Sequence, residues 1–60
     1  MELVIVIRTD GDAFYPDCSP EVSRILREYA EWLAETLDHD PDRAMFDKYG
    51  NRVGEAHLVE

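Results

Sequence analysis

Residues 19–37, SPEVSRILREYAEWLAETL, decide the fold, because they read as a helix with one dry side and one wet side. Val22, Ile25, Leu26, Tyr29, Leu33 and Leu37 recur at helical spacing, with Trp32 on the margin of the stripe, while Arg24, Arg27, Glu28, Glu31 and Glu35 lie opposite. Ser19 suits the N-cap, Pro20 the first helical position, and Glu21 complements the positive end of the helix dipole. The third helical position holds Val22 instead of Glu or Gln, so the capping box is incomplete. The pattern ends at Asp38-His39-Asp40, and Pro41 prevents its continuation.

Working outward, Leu3-Val4-Ile5-Val6-Ile7 is short and β-branched and predicts a strand over residues 2–9. Leu3, Ile5 and Ile7 share one face and Val4 and Val6 the other. Apolar residues on both faces suit a strand covered on both sides, or one whose second face meets another subunit. Residues 10–18 are rich in turn formers, with Phe14 and Tyr15 expected to fold back onto the core's edge. Downstream, residues 44–47 and 51–59 read as a hairpin. Asp47-Lys48-Tyr49-Gly50 fits a type I turn with Gly50 as a left-handed bulge residue, and a two-residue Gly50-Asn51 turn is the alternative. The first option sets Phe46, Ala56 and Leu58 toward the helix. It sets Met45, Val53 and Val59 with Val4 and Val6 on the far face.

The order β-α-β-β predicts a single α+β domain over residues 1–60, a three-stranded sheet with one helix packed on one face. Nothing in the chain remains to cover the other face. Val4, Val6, Met45 and Val53 together would form an exposed apolar patch of the kind that marks an interface. Alternatively, the first strand is an edge that pairs with its counterpart in a second subunit to give a six-stranded sheet. Both routes predict a homodimer. Trp32 reads as rim packing, with an interface anchor as its other role. Sixty residues support only a marginal core, which a partner subunit would reinforce. The single Cys18 closes no internal disulfide, and one Cys with two distant His gives no zinc spacing.

Fourteen acidic residues against six basic ones give a formal net charge of −8. Such a chain repels nucleic-acid phosphates and anionic lipid, so direct nucleic-acid binding and membrane binding are not expected. The six cations, Arg8, Arg24, Arg27, Arg43, Lys48 and Arg52, are dispersed and form no basic face. Basic protein surfaces and cations remain as partners. Asp38, Asp40 and Asp42 follow the helix and oppose its dipole, so they serve solubility or offer a surface to Lys and Arg groups. A DNA-mimicking inhibitor of a nucleic-acid-binding protein is the first alternative function.

A divalent-cation site is the second alternative. Asp10, Asp12 and Glu21 match the first, third and twelfth ligand positions of a calcium loop, but Phe14 takes the fifth and Tyr15 stands where that loop needs Gly. The favoured reading is a solvated turn, with no metal or other cofactor expected. Cys18 lies just before the helix, where a thiolate is stabilised, yet no spacing pairs it with His39 or His57. An ordinary, partly buried cysteine is expected, and no catalytic residue. The longest apolar run is five residues, too short for a membrane span, and Met1-Glu2 begins no basic leader segment, so the cytoplasm is the expected location.

Thr9-Asp10 with Ala13-Phe14, then Arg24-Ile25-Leu26, then Asp47-x-x-Gly50-Asn51-x-Val53-Gly54-x-Ala56 together resemble short, acidic, uncharacterised proteins encoded by phages and bacterial mobile elements. The resemblance spans most of the chain and is most specific in the hairpin. It departs from the pattern between Tyr15 and Cys18. It implies a phage or prophage accessory role and supplies no catalytic residues. The leading expectation is a non-enzymatic interaction module, homodimeric, that binds a host or phage protein.

Overall fold

A computed structural model of the chain describes residues 1–35 and 40–60. Leu37, Asp38 and His39 therefore lie outside the described residues. The elements follow the expected order: β1 (Glu2–Ile7), α1 (Ser19–Glu35), β2 (Arg43–Phe46) and β3 (Arg52–Val59). The sheet order is β1-β3-β2, with β3 antiparallel to both neighbours. The chain leaves β1, crosses through α1 to the far edge, and returns by the hairpin to fill the centre.

The start of α1 is set one residue earlier than the sequence reading places it. The Asp17 carboxylate accepts the Ser19 N–H at 3.0 Å, and the Cys18 carbonyl accepts the Val22 N–H at 2.9 Å. Cys18 thus occupies the cap, and Pro20 sits second in the helix. The missing proline N–H does no harm there, because first-turn amides have no partner within the helix. Ahead of α1, Asp12–Phe14 form a short 3-10 turn closed by the Phe14 N–H on the Gly11 carbonyl at 3.1 Å. This turn drives Ala13 and Phe14 into the core. Tyr15 does not follow: it is 82% exposed, because it lies one step past the turn and points away.

The core consists of Ala13, Phe14, Ile25, Tyr29, Met45, Val53 and Ala56, with Ile7, Val22, Trp32 and Leu33 packed around it. Two of these members correct the sequence reading. The hairpin turn itself is as expected: the Gly50 N–H meets the Asp47 carbonyl at 3.0 Å, and Gly50 has a φ of +83°. Two residues later the register slips. Phe46 stands opposite Arg52, but Met45 stands opposite Gly54, so Val53 is an extra, unopposed residue. Strand side chains alternate with period two, so one inserted residue exchanges the faces of everything beyond it. Met45 and Val53 are consequently buried (4% and 8% exposed), and Phe46 is half exposed (50%). The far-face patch of Val4, Val6, Met45 and Val53 does not form.

Gly54 lies in β3, between the other two strands. A Cβ built there would run into the Val6 carbonyl oxygen. Glycine is the residue that lets β3 lie this near β1.

Candidate functional site

The two edges of the sheet differ in how they are protected. β2 is four residues long, and the Arg24 guanidinium donates to the carbonyl of Phe46 at its end, at 3.3 Å. β1 is six residues long, with no charge between Glu2 and Arg8. Proteins usually blunt an exposed edge with charges, proline or a covering element. Among the described residues, β1 has none of these along its middle.

The helix leans away from β1. The Tyr29 hydroxyl donates to the Pro41 carbonyl at 2.7 Å. The Arg43 guanidinium lies 4.9 Å from the centre of the Trp32 ring, which stacks on Tyr29 at 5.8 Å. With the Arg24 bond to Phe46, these ties run from α1 to β2 or to the segment leading into it. Ile7 packs against the core, but the helix-side face of β1 is open toward its N-terminal end, so Leu3 and its cross-strand neighbour Leu58 are each 43% exposed and Ile5 is 39% exposed. Leu58 occupies the face the sequence predicts, but no described part of the helix covers it. Leu26, assigned to the apolar stripe, is also exposed. Trp32 is half buried in the rim of the core.

On the opposite face, Val6 is exposed and Val4 half buried, opposite Glu55 and His57 of β3 respectively. Glu55 accepts two hydrogen bonds from the Arg8 guanidinium, both at 3.2 Å, and lies 3.8 Å from Arg52. The Arg8 bonds hold the Glu55 carboxyl below its ordinary range. Phe46 also lies on this face. The open apolar surface therefore centres on β1 and is framed by charge at both ends.

Two buried carboxylates tie the scaffold together. Glu21 takes two bonds from Arg24, at 2.9 and 2.7 Å, and one from the Lys48 N–H at 2.7 Å, joining the first turn of α1 to the hairpin loop. Arg24 extends the set to Glu28 at 2.9 Å. The Arg24 bonds depress the Glu21 carboxyl in spite of its burial. At Asp47, burial works against the charged form, yet bonds from the Asn51 and Tyr49 amides, both at 2.9 Å, still hold its carboxyl low. A turn-forming Asp at residue 47 is legible from sequence. The Glu21 link is not, because it spans twenty-seven residues and depends on the packing of helix against hairpin.

This commitment removes Glu21 from the cation reading, and among the described residues no three His, Cys, Asp or Glu side chains converge to hold a metal ion. Of the acidic group after the helix, Asp40 is exposed. The Asp42 carboxylate accepts the Leu58 N–H at 3.1 Å, continuing the ladder of β3 past the end of β2. Cys18 is free and, contrary to the expected partial burial, exposed, and His57 is exposed on β3. A surface depression of about 390 Å³ is lined by Tyr15, Pro16, Asp17, Pro20 and the Glu21–Arg24 pair, which already satisfy each other. No described helix is long and apolar enough to cross a membrane. No protein-family model, curated protein or solved structure matches the chain.

Proposed function

We propose that the chain is a non-enzymatic interaction module, homodimeric, that serves as a phage or mobile-element accessory protein in the cytoplasm and binds a basic protein surface of host or phage origin. The observation that carries this reading is the uncovered β1: an edge strand whose Leu3, Ile5 and Val6 all reach solvent in a three-stranded sheet. Apolar surface of this kind gains roughly 25 cal/mol for each Å² removed from water. A second copy supplies that cover. The charge of −8 then provides long-range attraction to a basic partner, while contact affinity comes from apolar anchors. The accessory role follows from the resemblance in the hairpin and helix, and the cytoplasmic setting suits a single exposed, unpaired cysteine.

Light scattering across a concentration series tests the self-association. The wild type is expected to reach twice the chain mass, and Val6→Glu, which sets a carboxylate on the strand's exposed face, is expected to remain at the chain mass. A wild type that stays monomeric at the highest concentration overturns the homodimer.

A further inference from the structure

We infer that two copies join through β1 in one antiparallel register, with Ile5 on the two-fold axis and Glu2 of each copy facing Arg8 of the other. This rests on the self-association proposed above and specifies its geometry.

The backbone fixes which groups are free. The Arg8 N–H donates to the Val53 carbonyl at 2.8 Å, continuing the register in which Ile7 faces Gly54. Along an antiparallel ladder, residues alternate between bonding to the neighbouring strand and bonding away from it. Glu2, Val4 and Val6 therefore share the orientation of Arg8 and bond to β3. Leu3, Ile5 and Ile7 direct their N–H and C=O groups outward, where β1, as the sheet's edge, has no neighbouring strand among the described residues. An incoming strand must match those three residues.

The side chains then choose the register. Residues 2–8, Glu2-Leu3-Val4-Ile5-Val6-Ile7-Arg8, have the same character read in either direction except that the end charges are opposite. With Ile5 facing Ile5 of the second copy, Leu3 meets Ile7, Val4 meets Val6, and Glu2 meets Arg8. All three outward-facing residues of each copy find bonding partners. Sliding the second strand by two residues sets Glu2 against Val6 or Arg8 against Val4, and loses both charge pairs. Sliding by one residue opposes outward-facing groups with inward-facing ones. Opposite charges directly across a strand pair are favourable, and so are apolar pairs. Arg8 can serve both partners, since its guanidinium carries five donors, uses two on Glu55, and is half exposed.

The same register explains the lean of α1. The helix covers β2 and leaves Leu3, Ile5 and Leu58 open, and a second copy would bring its own Leu3, Ile5 and Ile7 alongside them. The result is a six-stranded sheet with both helices on one side.

Two variants and a mixture test this. Ile5→Pro removes an N–H that points to the free edge, where proline is tolerated, so the chain should keep its far-ultraviolet circular dichroism. Its dimer should be at least about thirty-fold weaker, from the loss of the two bonds between the paired Ile5 residues. Separately, Glu2→Arg and Arg8→Glu each place like charges across the axis in their own homodimers. Mixed together they restore both attractive pairs, so native mass spectrometry should show the heterodimer favoured about ten-fold over random pairing. If Ile5→Pro fails to fold, the mixture alone decides. A wild-type dimer that survives Ile5→Pro, or a mixture that pairs at random, overturns this register and leaves self-association standing. A monomeric wild type overturns the self-association itself.

Discussion

The exchange of faces at Val53 makes a quantitative prediction about two adjacent residues. Met45 and Phe46 follow each other in β2, and a regular hairpin would bury Phe46 and expose Met45. The bulge reverses this, leaving Met45 4% exposed and Phe46 50% exposed. Met45 belongs to the core with Ile25, Tyr29 and Ala56. Truncating a buried Met to Ala removes its transfer free energy and leaves a cavity, at a cost of about 2–4 kcal/mol. Fully burying a Phe is worth about 1.5–3 kcal/mol, so a half-exposed one contributes about 1 kcal/mol. A sixty-residue domain has a total stability of roughly 3–9 kcal/mol. Met45→Ala should therefore remove about half of the stability, and Phe46→Ala a minor part of it.

Urea titration followed by circular dichroism and by Trp32 fluorescence measures both. With a slope of about 1 kcal/mol/M for a chain of this size, Met45→Ala should lower the midpoint by about 2–4 M and Phe46→Ala by about 1 M or less. Both should be measured at one fixed protein concentration, because self-association adds to apparent stability by mass action. Trp32 is a suitable reporter because it stacks on Tyr29 and lies under Arg43, which comes from the strand being tested. If Phe46→Ala costs as much as Met45→Ala, the bulge assignment and the exchange of faces it causes are both wrong.

Three further outcomes follow from the same geometry. Gly54→Ala sets a methyl group against the Val6 carbonyl oxygen, which is backbone and cannot step aside, so this variant should be largely unfolded by circular dichroism while Gly11→Ala, which meets nothing within 4 Å, stays folded. The Glu21 carboxyl is depressed below its ordinary value of 4.5, so its contribution is complete above that pH and is lost as pH falls through the folded value; the Tm difference between wild type and Glu21→Gln should be constant at neutral pH and shrink below about pH 4.5. A difference that does not change with pH would show that the Glu21 charge plays no part in joining α1 to the hairpin. Raising the salt concentration from 0.01 to 0.15 M should tighten the dimer by sedimentation, and a dimer that weakens instead would make the Glu2–Arg8 pairs, not the apolar strand, its main support.

Much of the architecture was legible because it depends on local signals. The helix follows from the spacing of Val22, Ile25 and Tyr29, and the hairpin loop from Asp47 and Gly50, where turn chemistry leaves few choices. What sequence could not supply depends on interactions between elements. Val53 itself carries no mark of a bulge; the only local sign is the neighbouring Gly54 inside the strand, which also lets β3 lie against the Val6 carbonyl. One unseen residue moved Met45 and Val53 off the candidate surface and put Phe46 on it. Val4 and Val6 kept their positions, because they lie on β1 and owe nothing to the hairpin register. Asp42 looked like part of an acidic cluster, and its bond to Leu58 appears only when the end of β2 is known to fall short of β3.

The net charge of −8 bears on the proposed dimer in two opposing ways. Two such chains about 20 Å apart repel by about 13 kcal/mol in unscreened water. With a screening length of about 30 Å at 0.01 M salt roughly half of this remains, and with about 8 Å at 0.15 M only about 1 kcal/mol. The two Glu2–Arg8 contacts, exposed at the ends of the strand, return about 1 kcal/mol or less each and also weaken with salt. At physiological salt the two electrostatic contributions nearly cancel, and association is governed by apolar burial along β1 and by the bonds of Leu3, Ile5 and Ile7. The charge that hinders self-pairing at low salt attracts a basic partner over the same range, so for a dimer of this kind salt should strengthen the self-contact and weaken the partner contact.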